Sequence, residues 1–411
     1  MIRLKPEFEL HFSCPECGSG SAKLNCIGLP GMYWLADYRC DSCGTEFLQS
    51  LPVGHMIDHP LGVNKKSGKL YPDDWNMWWQ YVPFSKSFAT VSEDDVPIRK
   101  VVYKESKKVL ILNTLDYLYG HTILRLFNAQ HYLDHHPDVG LIVIVPQICE
   151  WLIPEGCAEA WIVPLRLGQM VCSYPAIDRF VSDQLERFDE VYISKGFNHP
   201  DFTKIDISRF TGVRPFDVEK FYDQKPFFTF ALREDRWWLR SPINSMVFRV
   251  ARKLGLSKFL QSILVKQQNA LVRRAIRRIR REIPEAEFGI TGLGKGGSLS
   301  RWASDRRAVK ITPEIEREWC RMYAQSHVVI GIHGSNMLLP TAHAAGCVEV
   351  LMQDRYRNIV QDLSVRYNDR RQLFFYRFVD QYAAPSSVAA KVVAIYRNYE
   401  NCYRNFVLNQ H

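Results

Sequence analysis

The amino-acid sequence predicts an α/β protein with two doubly wound, Rossmann-like domains preceded by a small cysteine-rich module. Two Cys-x-x-Cys-Gly motifs near the amino terminus indicate the module. From Lys107 onward, short apolar runs alternate with helical patterns, which is typical of parallel sheets covered by helices. The 411 residues, 46% of them hydrophobic, suffice for two or three domains and exclude a disordered or fibrous protein.

The cysteine-rich module is expected over residues 1–50 and contains Cys14-Pro-Glu-Cys17 and Cys40-Asp-Ser-Cys43, each followed by glycine. Each motif brings two thiolates to one ion from a tight turn, and the glycine can take the positive φ of that turn. Four thiolates leave no position for a water ligand. We therefore predict a structural zinc in a zinc-ribbon-like module. A redox role is less favoured because the motif is duplicated.

Residues 51–100 are rich in proline, glycine and aromatic residues without a sustained period, which predicts a linker that wraps the next domain. Trp75, Trp78 and Trp79 are expected to pin this linker by burial. Stacking of these side chains on sugar rings is the less favoured alternative.

The first α/β domain is predicted over residues 101–215 and the second over 216–384, with the break near 213–226. Buried strands are expected in the first domain at 109–113, 141–145, 160–163 and 190–194, with a helix over 121–133. Strands are expected in the second at 227–232, 288–291, 328–332 and 348–351.

Two helix starts are predicted from local chemistry. Thr312-Pro313-Glu314 combines a capping hydroxyl, a proline at the first helical position and an acid in the first turn. Pro385 begins a closing helix, expected over 385–411.

One segment makes the chain basic. The formal net charge is +9, and residues 249–281 contain eleven basic side chains and no acidic one. Apolar residues at three- and four-residue steps predict a long helix there, with arginines on its other faces. Two interpretations stay open: a solvated surface, or attraction to an anionic membrane or a phosphorylated acceptor.

No apolar run approaches the roughly 18 residues of a membrane-spanning helix. The first ten residues carry Arg3, Lys5, Glu7 and Glu9, where a secretory signal needs an apolar core. We therefore expect a cytoplasmic protein. If the basic helix is attracted to an anionic membrane, it would be a peripheral contact to the inner face of that membrane.

A glycine-rich stretch, Gly292-Leu-Gly294-Lys295-Gly296-Gly297, follows a predicted strand and formally matches a dinucleotide-binding turn. The polar segment behind it does not predict a packed helix, and Gly296 stands where a P-loop has its magnesium-binding hydroxyl. We predict a flexible loop with Lys295 as a candidate phosphate contact.

The most informative stretch is 326–352, where a strand ends in His333-Gly334-Ser335-Asn336, a helix follows at once, and the next strand ends near Glu349. Doubly wound sheets bind ligands at such strand ends, and the start of a helix suits a phosphate. Glu349 could accept hydrogen bonds from ribose hydroxyls. A buried structural histidine is the alternative for His333.

This stretch resembles glycosyltransferase family 61 and its relatives with the GT-B fold, whose donor-side domain has a strand ending in His-Gly-Ala-Gly, a helix, and a strand ending in Glu. Phe230-Ala-Leu-Arg233-Glu-Asp-Arg236 is similar to the family's strand-end Arg-x-x-Arg. Tyr117-Leu-Tyr-Gly-His121-Thr122 is similar to its Asn-Tyr-x-His stretch at the acceptor side. The resemblance covers about residues 107–381. Asn336 replaces the family's second glycine, and the zinc motifs are not part of the family pattern.

The resemblance implies an inverting, metal-independent glycosyltransferase that moves a sugar from a nucleotide-sugar donor to a cell-surface polysaccharide or a lipid-linked glycan. His121 is the first candidate for the general base and Asp116 the second. The chain contains no Asp-x-Asp motif, which favours neutralisation of the diphosphate by arginines over a catalytic magnesium. The residues expected to bind the donor are Arg233, Arg236, Lys295, His333, Gly334, Ser335, Asn336 and Glu349.

Two other functions remain open. A zinc-containing nucleic-acid-binding protein would use the basic helix 249–281, but Lys23 and Arg39 are the only basic residues between positions 14 and 43. A non-catalytic glycosyltransferase-like subunit would have a decayed donor site, whereas Arg233, Arg236 and His333 are all present.

Overall fold

The computed structural model describes residues 1–72, 77–244, 246–247, 257–294, 296–359 and 361–406, except the side chains of 257–260 and 406. The chain forms two compact units, Met1–Pro200 (unit 1) and Asp201–His411 (unit 2). Four features predicted from the sequence lie at least partly outside the described residues. They are Trp75, Lys295, residues 249–256 of the basic segment and residues 407–411 of the predicted closing helix.

Unit 1 contains a mainly parallel sheet, in the order β1–β11–β8–β9–β10–β7, and an antiparallel sheet formed by β2 to β6. The inner strands β11, β8, β9 and β10 are parallel neighbours, while β1 and β7 form antiparallel edges. The parallel sheet predicted from the buried apolar runs is therefore confirmed. The strands are β1 (Ile2–Lys5), β2 (Ala22–Gly28), β3 (Leu35–Cys40), β4 (Glu46–Ser50), β5 (Gly62–Asn64), β6 (Leu70–Tyr71), β7 (Arg99–Val102), β8 (Lys108–Asn113), β9 (Gly140–Pro146), β10 (Glu159–Val163) and β11 (Glu190–Ile193).

The helices of unit 1 are α1 (Trp78–Ala89), α2 (Tyr119–Leu126), α3 (Asn128–His135) and α4 (Pro175–Leu185). The single helix predicted over 121–133 is thus two helices that meet at Phe127. The Asn128 side-chain amide donates to the carbonyls of Leu124 and Arg125, at 3.2 and 2.9 Å. Such local side-chain bonds compete with the helical ladder.

The cysteine-rich module and the parallel sheet share one hydrophobic core. Trp34 and Phe47 of the module are buried in the same cluster as Ile111, Ile144 and Trp161 of the sheet. The segment 51–100, predicted as a linker, adds β5, β6 and α1 to the unit. β5 and β6 have only three and two residues, too few to show a period. The expected burial of Trp78 and Trp79 at the start of α1 is wrong, since these side chains are 63% and 48% exposed.

Unit 2 contains a parallel sheet in the order β14–β13–β12–β15–β16–β17. The four predicted strands correspond to β12, β13, β15 and β16. The strands are β12 (Phe227–Leu232), β13 (Glu287–Gly292), β14 (Ser304–Asp305), β15 (Val328–Ile332), β16 (Gly346–Leu351) and β17 (Tyr376–Asp380). The helices are α5 (Ser208–Thr211), α6 (Ser257–Glu282), α7 (Pro313–Ala324), α8 (Leu338–His343), α9 (Arg371–Phe375) and α10 (Pro385–Phe406).

The helices of unit 2 begin and pack for the reasons expected. The Thr312 hydroxyl accepts a hydrogen bond from the Ile315 amide, which confirms the predicted cap of α7. The apolar stripe of α6, which includes Val272, Ile276 and Ile279, is fully buried. Among the described residues, every helix is too short or too polar to cross a lipid bilayer.

Candidate functional site

Two parallel strands bring together four of the predicted donor-binding residues of unit 2: Arg233, Arg236, His333 and Asn336. Strands β12 and β15 pair with Ala231 opposite Gly331, so their carboxyl ends lie at one edge of the sheet. Arg233, just after β12, donates from Nη1 to Asn336 Oδ1 at 2.7 Å. Arg236 donates from Nη1 to the carbonyl of His333, the residue after β15, at 3.0 Å. We call this cluster the arginine cradle.

Gly334 allows the two guanidinium groups to approach the backbone. Its φ is +141°, a conformation that residues with a side chain rarely adopt. A Cβ atom at this position would lie 2.6 Å from Arg233 Nη1 and 2.8 Å from Arg236 Nη1. The backbone conformation therefore favours glycine, and any side chain at this position would displace the two guanidinium groups.

The arginine cradle carries positive charge that nearby carboxylates do not fully neutralise. Arg233 forms an ion pair with Asp235, with Nη2 and Oδ2 2.5 Å apart. Arg236 is partly buried and forms no ion pair within the described part of the chain. Burial, and then the charges of Arg233 and Arg355, lower the pKa of Arg236. An anion bound beside Arg236 would relieve this repulsion.

His333 and Glu349 form a buried pair beneath the same turn. Their side chains are 1% and 0% exposed, and His333 Nδ1 lies 3.1 Å from Glu349 Oε1. Burial raises the pKa of Glu349, while the contact with His333 opposes that rise. His333 Nε2 makes no hydrogen bond and lies 3.5 Å from Asp362 Oδ2, and Glu349 Oε2 has no partner. The pair supports the turn from inside, and contact of Glu349 with ribose stays a prediction.

Two details of this region differ from the sequence-based prediction. A 3-10 turn, Ser335–Met337, follows Gly334, and α8 has only six residues. A helix this short has a small dipole and attracts a phosphate only weakly. This weakens the prediction that the start of α8 binds a phosphate.

The described part of the glycine-rich loop is anchored, whereas the sequence predicted a flexible loop. The Gly296 amide donates to Glu234 Oε1 at 2.6 Å, and Asn269 Nδ2 donates to the Gly296 carbonyl at 2.7 Å. Arg307 Nη2 donates to the Gly297 carbonyl at 2.5 Å. A carboxylate of the protein itself thus binds to this loop, where the sequence suggested a phosphate.

In unit 1, the two candidate bases lie in one cluster with a third residue, His55. His121 Nδ1 lies 3.4 Å from Asp116 Oδ1. His55 Nε2 lies 3.0 Å from both Asp116 Oδ2 and His121 Nδ1. Arg125 Nη2 lies 3.1 Å from Asp116 Oδ2, and both of these side chains are buried.

Asn198 determines which nitrogen of His55 carries the proton. Arg125 Nε donates to Asn198 Oδ1 at 2.9 Å, so the amide nitrogen of Asn198 faces His55 Nδ1 at 3.0 Å. His55 Nδ1 must therefore accept, and the ring proton of His55 lies on Nε2, directed at Asp116. His121 Nδ1 can accept a hydrogen bond from that proton of His55 at 3.0 Å, or can carry its own proton toward Asp116 Oδ1 at 3.4 Å. Only the second tautomer leaves His121 Nε2 free to accept a proton.

The charges of this cluster follow from its burial and its arginine. Burial alone would raise the pKa of Asp116, but Arg125 and the hydrogen bonds of His121 and His55 lower it below its usual value. Burial, and then Arg125, lower the pKa of His55 to about 4. At neutral pH the cluster therefore holds an ionised Asp116 and a neutral His55.

The same three side chains could also hold a metal ion, because one ligand atom from each of His55, Asp116 and His121 lies within 4.8 Å of the others. A metal on His55 Nε2 would move the ring proton to Nδ1, where it would face the amide nitrogen of Asn198. The hydrogen bonds of Asn198 therefore favour the hydrogen-bonded cluster.

The four predicted zinc ligands converge in unit 1. Cys14 and Cys43 have their sulfurs 3.7 Å apart, and so do Cys17 and Cys40. A tetrahedral ion with Zn–S bonds of about 2.3 Å separates its sulfurs by about 3.8 Å. The glycines after the two motifs have φ of +72° and +74°, as predicted. The four cysteines could therefore hold a metal ion such as zinc.

Sequence reasoning missed three residues of the unit 1 cluster. His55 lies in the segment predicted as a linker, and nothing around Asn198 marks it. Arg125 could have been found, since it is a lone charge in the apolar run Ile-Leu-Arg-Leu-Phe and is 3% exposed.

Comparison with protein-family models and with curated proteins finds no match for this chain.

Proposed function

We propose that the protein is an inverting, metal-independent glycosyltransferase of GT-B architecture. In this proposal it transfers a sugar from a nucleotide-sugar donor to a cell-surface polysaccharide or lipid-linked glycan. The observation that carries the proposal is the arginine cradle, in which Arg233 and Arg236 converge on Gly334 at the carboxyl ends of parallel strands. A diphosphate is an anion that two guanidinium groups can bind by charge-assisted hydrogen bonds.

In this proposal the arginine cradle performs the part of the reaction that a metal performs in other transferases. Departure of the nucleoside diphosphate builds negative charge on the phosphate oxygens, and fixed positive groups stabilise that charge without reorganising. Asn336 orients Arg233, and the His333 carbonyl orients Arg236.

The acceptor hydroxyl must lose its proton, and the proposal assigns that step to His121 of unit 1. With its Nδ1 proton directed at Asp116, His121 can accept the hydroxyl proton on Nε2. Asp116 then stabilises the imidazolium that forms. His55 and Arg125 position Asp116, and a zinc bound by the four cysteines has a structural role only.

Nucleotide-sugar binding tests the proposal most directly. A calorimetric panel of UDP-, GDP- and CMP-sugars should identify one donor class, and Arg236→Ala and Arg233→Ala should weaken its binding by roughly ten- to a hundredfold. Arg240→Ala is the matched control, because Arg240 is exposed and follows the same strand. Failure of every nucleotide sugar to bind the wild-type protein would overturn the proposal.

A further inference from the structure

The described part of α6 presents one exposed face that combines basic and apolar groups. Ile263, Gln267, Arg274, Arg278 and Arg281 lie within about 60° of one another around the helix axis, at about 100° per residue. Arg274, Arg278 and Arg281 are exposed and form no ion pair among the described residues. The nearest acid on the helix, Glu282, pairs with Arg397 at 2.9 Å.

Exposed apolar side chains lie beside this face. Asn244 Nδ2 donates to Gln267 Oε1 at 2.6 Å, which places Asn244 against the middle of α6. Ile243, Met246 and Val247 are 69%, 61% and 46% exposed, and Ile263 on the helix itself is 37% exposed. Large aliphatic groups so exposed on one surface are commonly used to bind a partner.

The position of the arginines is not explained by the helix dipole alone. Basic residues in the last turn stabilise the carboxyl end of a helix, and this accounts for Arg281. Arg274 lies two turns before that end, where the dipole has little effect. Helix stability therefore does not account for the whole charged row, and the two interpretations that stay open for it are a solvated surface and an external anionic partner.

We infer that this face of unit 2, formed by Arg274, Arg278 and Arg281 together with Ile243 and Met246, binds the surface of an anionic lipid bilayer. Lipid head groups attract the guanidinium groups, and aliphatic side chains can enter the boundary between head groups and acyl chains. A nucleic acid would bind the arginines but gains little from exposed aliphatic groups. The inference does not depend on the proposed glycosyltransferase activity.

Vesicle sedimentation of the full-length protein tests the inference. Vesicles of phosphatidylcholine with about 30% phosphatidylglycerol should bind the wild-type protein, pure phosphatidylcholine vesicles should bind it far less, and added salt should weaken the binding. Arg274→Glu/Arg278→Glu/Arg281→Glu should reduce partitioning by roughly a hundredfold. Ile243→Ser/Met246→Ser should reduce it by roughly tenfold or more.

The matched control changes the net charge by the same amount, but at positions outside this face. Lys66→Glu/Lys104→Glu/Lys310→Glu replaces three exposed lysines that lie outside this face and should bind vesicles nearly as well as the wild type. Circular dichroism establishes that each variant is folded. The salt dependence of vesicle binding is measured on the wild-type protein, so this part of the test does not depend on whether a variant folds. Absence of vesicle binding, equal loss in the control, or undiminished binding of the serine variant would each overturn the inference. So would tighter binding to single-stranded RNA than to the anionic vesicles at equal salt.

Discussion

Gly334 shows how one residue can decide whether a charged site forms. Alanine at this position would have to adopt a φ of +141° and place its Cβ within 3 Å of two guanidinium groups. Either the turn or the arginines must then move. The sequence pointed to this residue because the motif is contiguous, so its neighbours in the chain are also its neighbours in space.

We therefore expect Gly334→Ala to weaken nucleotide-sugar binding by about tenfold or more, since it displaces Arg233 and Arg236 together. Gly168→Ala is the control, because a Cβ there meets nothing within 4 Å. Calorimetry with the donor class that the nucleotide-sugar panel selects measures both variants. Wild-type affinity in Gly334→Ala would show that the donor binds elsewhere.

His121 illustrates the opposite case, in which distant residues complete a site. The sequence predicted His121 and Asp116, which are five residues apart. His55 and Asn198 belong to segments far from both in the chain. His55 and Asn198 contribute to the site through hydrogen bonds that form only in the folded chain. No local sequence pattern predicts such bonds.

His121→Ala should lower sugar transfer by roughly a hundredfold and leave donor affinity unchanged, because a general base acts only in the chemical step. His55→Gln should lower the rate less, since it acts through Asp116. His131→Ala, an exposed histidine on α3, is the control. If His121→Ala transfers sugar at the normal rate, His121 is not the base.

At the scale of elements, the strands were predictable because each buried strand of a parallel sheet is a short apolar run. Strand β12 has the predicted bounds, 227–232, and β15 the predicted bounds, 328–332. The broken helix α2–α3 was not predictable from periodicity, since Asn128 interrupts it through its own side-chain amide. The start of β12 is held to that of β15 by His327, whose Nδ1 accepts from the Phe227 amide at 3.2 Å.

Because His327 is buried in forming this link, we expect the protein to lose stability at acidic pH. Burial lowers the pKa of His327 to about 4, and burial has the same effect on His343 of α8. Both residues bind a proton near pH 6.5 when unfolded, so the unfolded state takes up more protons between pH 6.5 and 4, and stability falls as pH falls. The loss should be about 1–2 kcal/mol per histidine at pH 5.

Urea unfolding at pH 7.5 and pH 5 measures this effect. His327→Gln should have a smaller difference between the two pH values than the wild type, even though it is less stable at both. The exposed His135→Gln should leave the difference unchanged. Equal pH dependence in the wild type and His327→Gln would contradict the assignment.

At the scale of the whole molecule, the sequence correctly indicated parallel α/β sheets and a four-cysteine cluster, but it separated the module from the domain that follows. The amino-acid composition changes near residue 50, whereas the hydrophobic core continues across that position. Trp34 and Phe47 are buried among sheet residues such as Ile111, and the Asn113 amide donates to the Gly31 and Met32 carbonyls. Residues brought together from both sides of a compositional boundary can share a core that no linear pattern reveals.

Zinc removal should therefore affect far more than the cysteine motifs. The purified protein should hold about one zinc per chain, and Cys14→Ser or a strong chelator should lower its melting temperature. Hydrogen exchange should show lost protection in β3 and β4 and also in β8 and β9, because these strands contribute to one core. The buried Cys320→Ser in α7 is the control for losing a thiol without losing a metal ligand. Faster exchange confined to residues 14–18 and 40–44 would show instead that the metal stabilises only the two turns that bind it.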